Sequence, residues 1–238
     1  MTTRIIQIML LFLTFSFAQT VSAQESQDVK WDGEKIKGVR FLPYAAYQGF
    51  PYLNNSWQIG KIDFASGESV DGLNLRYSTF KDEIIYYNTT ISAQIVIDKA
   101  SLAGFSLQDG TGKTRIFRKQ FFDGYMKGER YFEVLSSGDP NLLVYRKVSL
   151  QTTSAYKDQR GVLTNLEYAN DYQFYFYSPE KGYTSVKPNW LSLMARFNKT
   201  DQKPIKKLLR KNKIRISNEE SFVRAWKVIE KEGFKIIP

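Results

Sequence analysis

Cysteine is absent from the 238 residues of the chain. Disulfides, thiolate metal ligands and thiol nucleophiles all require cysteine, so the sequence excludes these three kinds of chemistry. A lipid-modified cysteine after a signal peptide is excluded for the same reason. With no cross-link available, the stability of the fold must come from its core.

Histidine is absent as well. This excludes serine–histidine triads, histidine-bound metals and histidine acid–base catalysis, because no other side chain titrates near neutral pH without perturbation. Carboxylate, tyrosine, lysine and serine–lysine chemistry remain possible. The adjacent pairs Asp82-Glu83 and Glu219-Glu220 do not indicate a catalytic carboxylate pair, since neighbours on a strand point to opposite faces. We predict that both pairs are solvated turn and cap residues.

The N-terminus has the pattern of a secretory signal peptide. Arg4 precedes an apolar run over residues 5–18, and Val21-Ser22-Ala23 matches the small-residue cleavage pattern. The alternative is an uncleaved membrane anchor, but the run is shorter than the ~20 residues that span a bilayer. We therefore predict a signal peptide over residues 1–23 and export to the periplasm, the outer-membrane surface or the extracellular space.

The body of the chain alternates short β-type runs with turn signals. Residues 24–55 mix aromatics with glycine and proline, which favours an irregular segment. Residues 56–188 contain runs such as "LNLRYSTF" and "NLLVYRKVSL", separated by turns such as "ASGES" and "SPEKG". Many short strands joined by tight turns predict an α+β, mainly β fold, with an antiparallel sandwich or open barrel. Two buried faces are expected: Leu73, Leu75 and Tyr77, and Ile91, Ala93, Ile95 and Ile97.

One stretch, "LQDGTGKTRIF" at residues 107–117, partly matches a nucleotide-binding phosphate loop. Gly112, Lys113 and Thr114 reproduce the end of that motif, but Leu107 stands where its first glycine is required. The residues that follow have the period of a strand and not of a helix. We interpret the stretch as a hairpin whose turn contains Asp109-Gly110, and we expect no nucleotide.

Residues 189–238 predict two or three helices packed on the β body. Asn189 can cap the first helix, and the second follows Thr200 or Asp201. Ser217 with Glu220 matches a capping box for a third helix, which Gly233 would end. Apolar residues recur on one side of each helix. The inward-facing residues are expected to be Trp190, Leu193, Met194 and Phe197, then Ile205, Leu208 and Leu209, then Phe222, Val223, Trp226 and Ile229.

Positive charge is concentrated in the same segment. Of the net charge of +10, residues 198–238 contribute +7, from twelve Lys or Arg and five Asp or Glu. Such a cluster can bind an anionic surface such as phospholipid, lipopolysaccharide or acidic polysaccharide. The alternative is that these cations only solvate the outer face of a docked helix. The predicted binding residues are Lys206, Lys207, Arg210 and Lys211.

Three blocks, "YQGFPYLNNSWQIGKI", "LRYSTFKDEIIYY" and "LLRKNKIRISNEESF", carry a resemblance. They are similar to recurring blocks of a family of uncharacterised exported β-rich proteins from Gram-negative bacteria. The resemblance spans most of residues 47–230. It implies export and assigns no activity and no catalytic residue.

These features favour a non-enzymatic binding protein of the bacterial envelope. Its partner would be an anionic envelope component or another envelope protein, and nucleic acid is disfavoured outside the cytoplasm. We expect no metal and no cofactor. A carboxylate-based hydrolase and a structural subunit of an envelope assembly remain the alternatives.

Overall fold

A computed structural model describes residues 36–124, 127–158 and 161–237. The predicted signal peptide and the first twelve residues of the irregular segment lie outside the described residues. Within them, twelve strands form one sheet and three helices follow it. The prediction of a mainly β, α+β fold with C-terminal helices is therefore confirmed.

The sheet is antiparallel apart from one short parallel pair. The strands are β1 (Gly38–Arg40), β2 (Gln48–Gly49), β3 (Gln58–Phe64), β4 (Ser69–Ser78), β5 (Glu83–Asn88), β6 (Ala93–Ile97), β7 (Leu102–Gln108), β8 (Thr114–Phe122), β9 (Gly128–Ser136), β10 (Asn141–Asp158), β11 (Gly161–Ser178) and β12 (Gly182–Val186). Their order across the sheet is β1-β6-β5-β4-β3-β7-β8-β9-β10-β11-β12. The two-residue strand β2 pairs in parallel with β11.

One of the two predicted buried faces is confirmed and the other is wrong in part. Leu73, Leu75 and Tyr77 of β4 are all buried. In the second set Ile97 is buried, but Ile91 is 64% exposed because it lies in the turn before β6. Among the described residues, the three-residue β1 is the only strand beyond β6 in the sheet.

The first core forms on one face of the sheet around Tyr77. Its ring centroid lies 5.1 Å from that of Phe105, 5.2 Å from that of Phe117 and 6.2 Å from that of Tyr131. These rings come from β4, β7, β8 and β9, and β3 separates β4 from β7. The sheet must therefore curl around this face for the rings to meet.

A second core forms on the opposite face, where Phe132, Leu143 and Tyr175 are buried. Tyr183 of β12 stacks on Phe132 of β9 with 5.2 Å between ring centroids, and its hydroxyl donates a hydrogen bond to Gln120 Oε1 of β8 at 2.8 Å. Three strands lie between β8 and β12. The sheet therefore curls in the opposite direction here, and β8 and β9 take part in both curves.

The helices cover the outer face of β10, β11 and β12. They are α1 (Trp190–Met194), α2 (Lys199–Lys211) and α3 (Glu219–Lys231). Leu142, Val144, Phe174 and Phe176 of the sheet pack in one cluster with all the predicted inward-facing residues of the helices except Leu208. Leu208 and Val223 are only half-buried. None of the described helices is long and apolar enough to cross a lipid bilayer.

The caps of the helices show which sequence signals were interpreted correctly. Asn189 caps α1, accepting a hydrogen bond from the Ser192 N–H at 2.9 Å. The predicted box of Ser217 with Glu220 is wrong by one residue, because Asn218 and Ser221 form the capping box of α3. Asparagine caps at least as well as serine, and this register leaves the acidic first turn of α3 free for other contacts.

Candidate functional site

Helix α2 separates apolar and basic side chains onto opposite sides. Ile205 and Leu209 are 0% and 2% exposed. The four predicted binding residues, Lys206, Lys207, Arg210 and Lys211, are all exposed. With 3.6 residues per turn, the basic residues point away from the side that packs on the sheet.

The basic residues of α2 form a continuous stripe, which we call the α2 basic face: Lys203, Lys206, Lys207, Arg210 and Lys211. Each of them has another member of the set three or four residues away, so their side chains are neighbours on the helix surface. A groove of about 660 Å³ runs along the first four of them. None of the five forms an ion pair with a residue that the structure describes. Like charges at this spacing destabilise a helix by about 0.2–0.5 kcal/mol per pair, and a bound anion would relieve that repulsion.

A second site, which the sequence did not predict, is a cleft of about 830 Å³ between β8–β10 and α3. We call it the cationic cleft. Glu133 is buried in its floor and binds two guanidinium groups. Arg115 Nε and Nη2 each donate to a different Glu133 oxygen at 2.7 Å, and Arg146 Nε donates to Oε2 at 2.6 Å. Such two-point pairing fixes the position of Arg115.

Arg146 extends the network to α3. Its Nη1 donates to Glu219 Oε2 at 2.7 Å, and its Nη2 donates to Oε1 of the same carboxylate. Its guanidinium also lies 4.7 Å from the ring centroid of Tyr172. The prediction that Glu219 is a solvated cap residue is therefore wrong. Arg146 is only 3% exposed, and a guanidinium at such burial needs opposite charge nearby to offset its loss of hydration.

The network sets the charge states of its members. Burial by itself would raise the pKa of Glu133, but the hydrogen bonds and charges of Arg115 and Arg146 outweigh burial and hold that pKa below its ordinary value. Burial would likewise lower the pKa of Arg146, whereas hydrogen bonds and charges of Glu219 and Glu133 raise it. Glu133 and Arg146 are thus ionised at neutral pH. The cleft floor is a fixed array of alternating charges.

The rim of the cleft carries cations without partners. Lys113, Arg224 and Lys227 line it and are exposed. None of them has a side-chain ion pair with a described residue. Arg115 also retains Nη1, which makes no hydrogen bond in the described part of the chain. Ligands with carboxylate or phosphate groups suit this donor set.

Lys113 reaches the rim because the stretch around it is a hairpin, which confirms that prediction. β7 and β8 pair in antiparallel register, and the Asp109 N–H donates to the Lys113 carbonyl at 2.9 Å. Asp109 Oδ1 also accepts from the backbone N–H groups of Thr111 and Lys113. The residue with positive φ is Gly112, at 80°, and not Gly110. A strand follows the turn where a phosphate loop would continue as a helix.

The prediction for Asp82 is wrong as well. This residue is 5% exposed and has a φ of 59°, so the turn after β4 directs its side chain inward. The Tyr77 hydroxyl donates to Asp82 Oδ1 at 2.5 Å, and Lys99 Nζ lies 2.5 Å from Oδ2. Burial raises the pKa of Asp82, and Lys99 and Tyr77 offset that effect only in part. Lys99 also lies over the ring of Tyr131, which helps to enclose the pair.

A signal for Glu133 and Arg146 was present in the sequence. On β9, Glu133 is in phase with Tyr131, and on β10, Arg146 is in phase with Val144 and Val148. A charged residue at an otherwise apolar position of a strand indicates a buried ion pair or a site. No cluster of three or more Asp or Glu that could hold a metal occurs among the described residues.

Comparison with known proteins leaves the function to be argued from geometry. A scan against known protein families found no match, and neither did searches of curated proteins and of solved structures.

Proposed function

We propose that the protein is an exported, non-enzymatic binding protein that attaches to anionic envelope lipid through the α2 basic face. The observation that carries this proposal is the basic stripe without neutralising partners in the described part of the chain, opposite a buried apolar side. The predicted signal peptide and the resemblance to exported β-rich proteins support the location. Phosphate groups of phospholipid or lipopolysaccharide would supply the negative charge.

Docking of the helix and adhesion to lipid use different residues, so they can act together. Full burial of an aliphatic side chain such as Ile205 or Leu209 contributes about 1.5–3 kcal/mol to holding α2 on the sheet. A lysine near an anionic membrane contributes ~1 kcal/mol, which falls off within a Debye length of ~8–10 Å at physiological salt. The attraction should therefore be sensitive to salt while the fold is not.

The test replaces Lys206, Lys207, Arg210 and Lys211 together by glutamine. We expect the melting temperature to stay within a few degrees, since all four are exposed. Sedimentation with vesicles of anionic phospholipid or lipopolysaccharide should show strong binding by the unaltered protein at low salt and much weaker binding by the variant. Intact-mass measurement of protein from its native envelope, expected to begin at Gln24, tests export.

A matched control removes the same number of positive charges elsewhere. Lys37, Arg40, Lys181 and Lys187 are exposed and lie outside α2. Their replacement by glutamine should leave most vesicle binding intact. Equal loss in the control would show that net charge and not the α2 basic face is responsible. Absence of binding by the unaltered protein at low salt would refute the proposal.

A further inference from the structure

The hairpin turn at residues 109–113 separates two clefts. On one side lies the cationic cleft. On the other lies a second cleft of about 820 Å³, which we call the amide cleft, lined by Asn54, Asn55, Trp57, Gln58, Gln108 and Thr111. Asp109 lines both clefts, and the consecutive residues Leu53 and Asn54 line one each. The two clefts therefore adjoin at Asp109.

The cationic side offers anion donors that the fold leaves unused. Lys113, Arg224 and Lys227 stand at its rim without ion-pair partners in the described structure, and Glu133 holds Arg115 in place below them. Asp109 Oδ1 accepts three hydrogen bonds within the hairpin turn. Five cations and four carboxylates line the cleft, and two of the carboxylates, Glu133 and Glu219, are already bound by Arg115 and Arg146. The remaining small excess of positive charge favours a ligand that brings its own negative charge.

The amide side offers the chemistry that recognises hydroxyl groups. Asparagine and glutamine side chains both donate and accept hydrogen bonds, as sugar hydroxyls do. Gln58 is oriented by its Nε2 donating to the Gln108 carbonyl at 2.9 Å. The indole of Trp57 is half-buried and supported by the Arg76 guanidinium, 4.2 Å from the ring centroid, and by Tyr87. A fixed aromatic ring beside planar amides can stack on the apolar face of a sugar.

We propose that the two clefts form one binding site for an acidic oligosaccharide. Sugar rings would lie along Trp57 and the amides, and a carboxylate of the chain would pair with Lys113, Arg224 and Lys227. Each cleft has the volume of a small-molecule site, so the pair accommodates more than one sugar unit. This site is separate from the α2 basic face and does not depend on lipid binding.

Calorimetric titration with an oligogalacturonate, compared with its fully methyl-esterified form, tests the role of charge. The two probes share the same sugar rings and differ in their carboxylates. We expect the free acid to bind at low salt and the ester to bind at least about tenfold more weakly, a difference of ~1.4 kcal/mol. Failure of both the free acid and a heparin-derived tetrasaccharide to bind would overturn the proposal. Equal binding of inorganic phosphate would reduce the site to an anion site and overturn the sugar part.

Variants then test each half of the site. Arg224→Gln with Lys227→Gln should weaken free-acid binding by about tenfold or more, whereas Lys37→Gln with Arg40→Gln, which are exposed and lie outside both proposed sites, should not change it. Trp57→Ala should weaken the binding of both the free acid and the ester. Since Trp57 also packs on Arg76, the exposed Asn55→Ala provides a second variant whose fold is not at risk. Unchanged affinity in Asn55→Ala and in the Arg224/Lys227 pair would refute the placement of the ligand.

Discussion

Asp82 and Glu133 are both buried carboxylates that contact cations, yet their pKa values shift in opposite directions. Each is 5% exposed. Asp82 has one cationic partner, Lys99, together with the neutral hydroxyl of Tyr77. Glu133 has two guanidinium partners that donate three hydrogen bonds at 2.6–2.7 Å.

The difference shows that the number and geometry of partners decide the direction of the pKa shift at equal burial. Burial opposes ionisation in both cases. Two guanidinium groups overcome it at Glu133, and one ammonium does not overcome it at Asp82. The surroundings of the two carboxylates differ as well. Asp82 is enclosed by Tyr77 and Lys99, whereas Glu133 lies in the floor of the cationic cleft. We therefore assign a structural role to the first and a supporting role in binding to the second.

The largest effect is expected when Glu133 is removed. Glu133→Ala leaves two guanidinium groups without their shared carboxylate, and loss of one partner from a buried ion pair costs about 3–5 kcal/mol. Chemical denaturation should show this loss in the free energy of unfolding. Glu129→Ala is the control, because its side chain is 51% exposed and forms a surface ion pair with Lys119, so its loss should be ~0–1 kcal/mol. Equal losses in the two variants would contradict a special role for Glu133.

A smaller loss of stability is expected from changes in the hairpin that borders the cationic cleft. Gly112→Val should cost about 1–2 kcal/mol, because its φ of 80° is unfavourable for a residue with a side chain. Gly110→Val should cost no more than ~0.5 kcal/mol, and so should Lys113→Ala. An added Cβ meets no atom within 4 Å at either glycine, so thermal unfolding of the two valine variants isolates the effect of φ. Equal losses of stability in the two valine variants would contradict the positive φ of Gly112.

The smallest and most direct test is the pH dependence of stability. The pKa of Glu133 is lowered from 4.5, so its contribution is present above pH 4.5 and is lost as pH falls through its folded value. The pKa of Asp82 is raised from 3.8, so its contribution is present below pH 3.8 and is lost as pH rises through its folded value. Relative to Glu133→Gln, the unaltered protein should lose stability on acidification. Relative to Asp82→Asn, the unaltered protein should gain stability on acidification. Parallel profiles would remove the distinction between the two sites.

Local patterns in the sequence were enough to predict the elements of the fold. Alternating residues such as Leu73, Leu75 and Tyr77 predicted strands, and apolar spacing predicted helices, because both signals depend on near neighbours. The two opposite curves of the sheet could not be predicted. They depend on contacts such as Tyr183 with Gln120, which are 63 residues apart.

The same distinction applies to the candidate sites. Exposure of the α2 basic face follows from helical periodicity, so the sequence indicated it. The cationic cleft joins Arg146 to Glu133 and to Glu219, which are 13 and 73 residues away. The immediate neighbours of Glu219 and Asp82 in the sequence predicted that both are solvated. In the fold, both form ion pairs with residues that are distant in the sequence.

Strand β9 has a consequence for how the protein unfolds. Tyr131 and Phe132 are adjacent in the chain, yet one belongs to the first core and the other to the core on the opposite face. A slip of this strand by one residue would exchange the two side chains and disrupt both cores at once. Displacement of β9 would therefore open both curves of the sheet together, which couples the two halves of the sheet during unfolding.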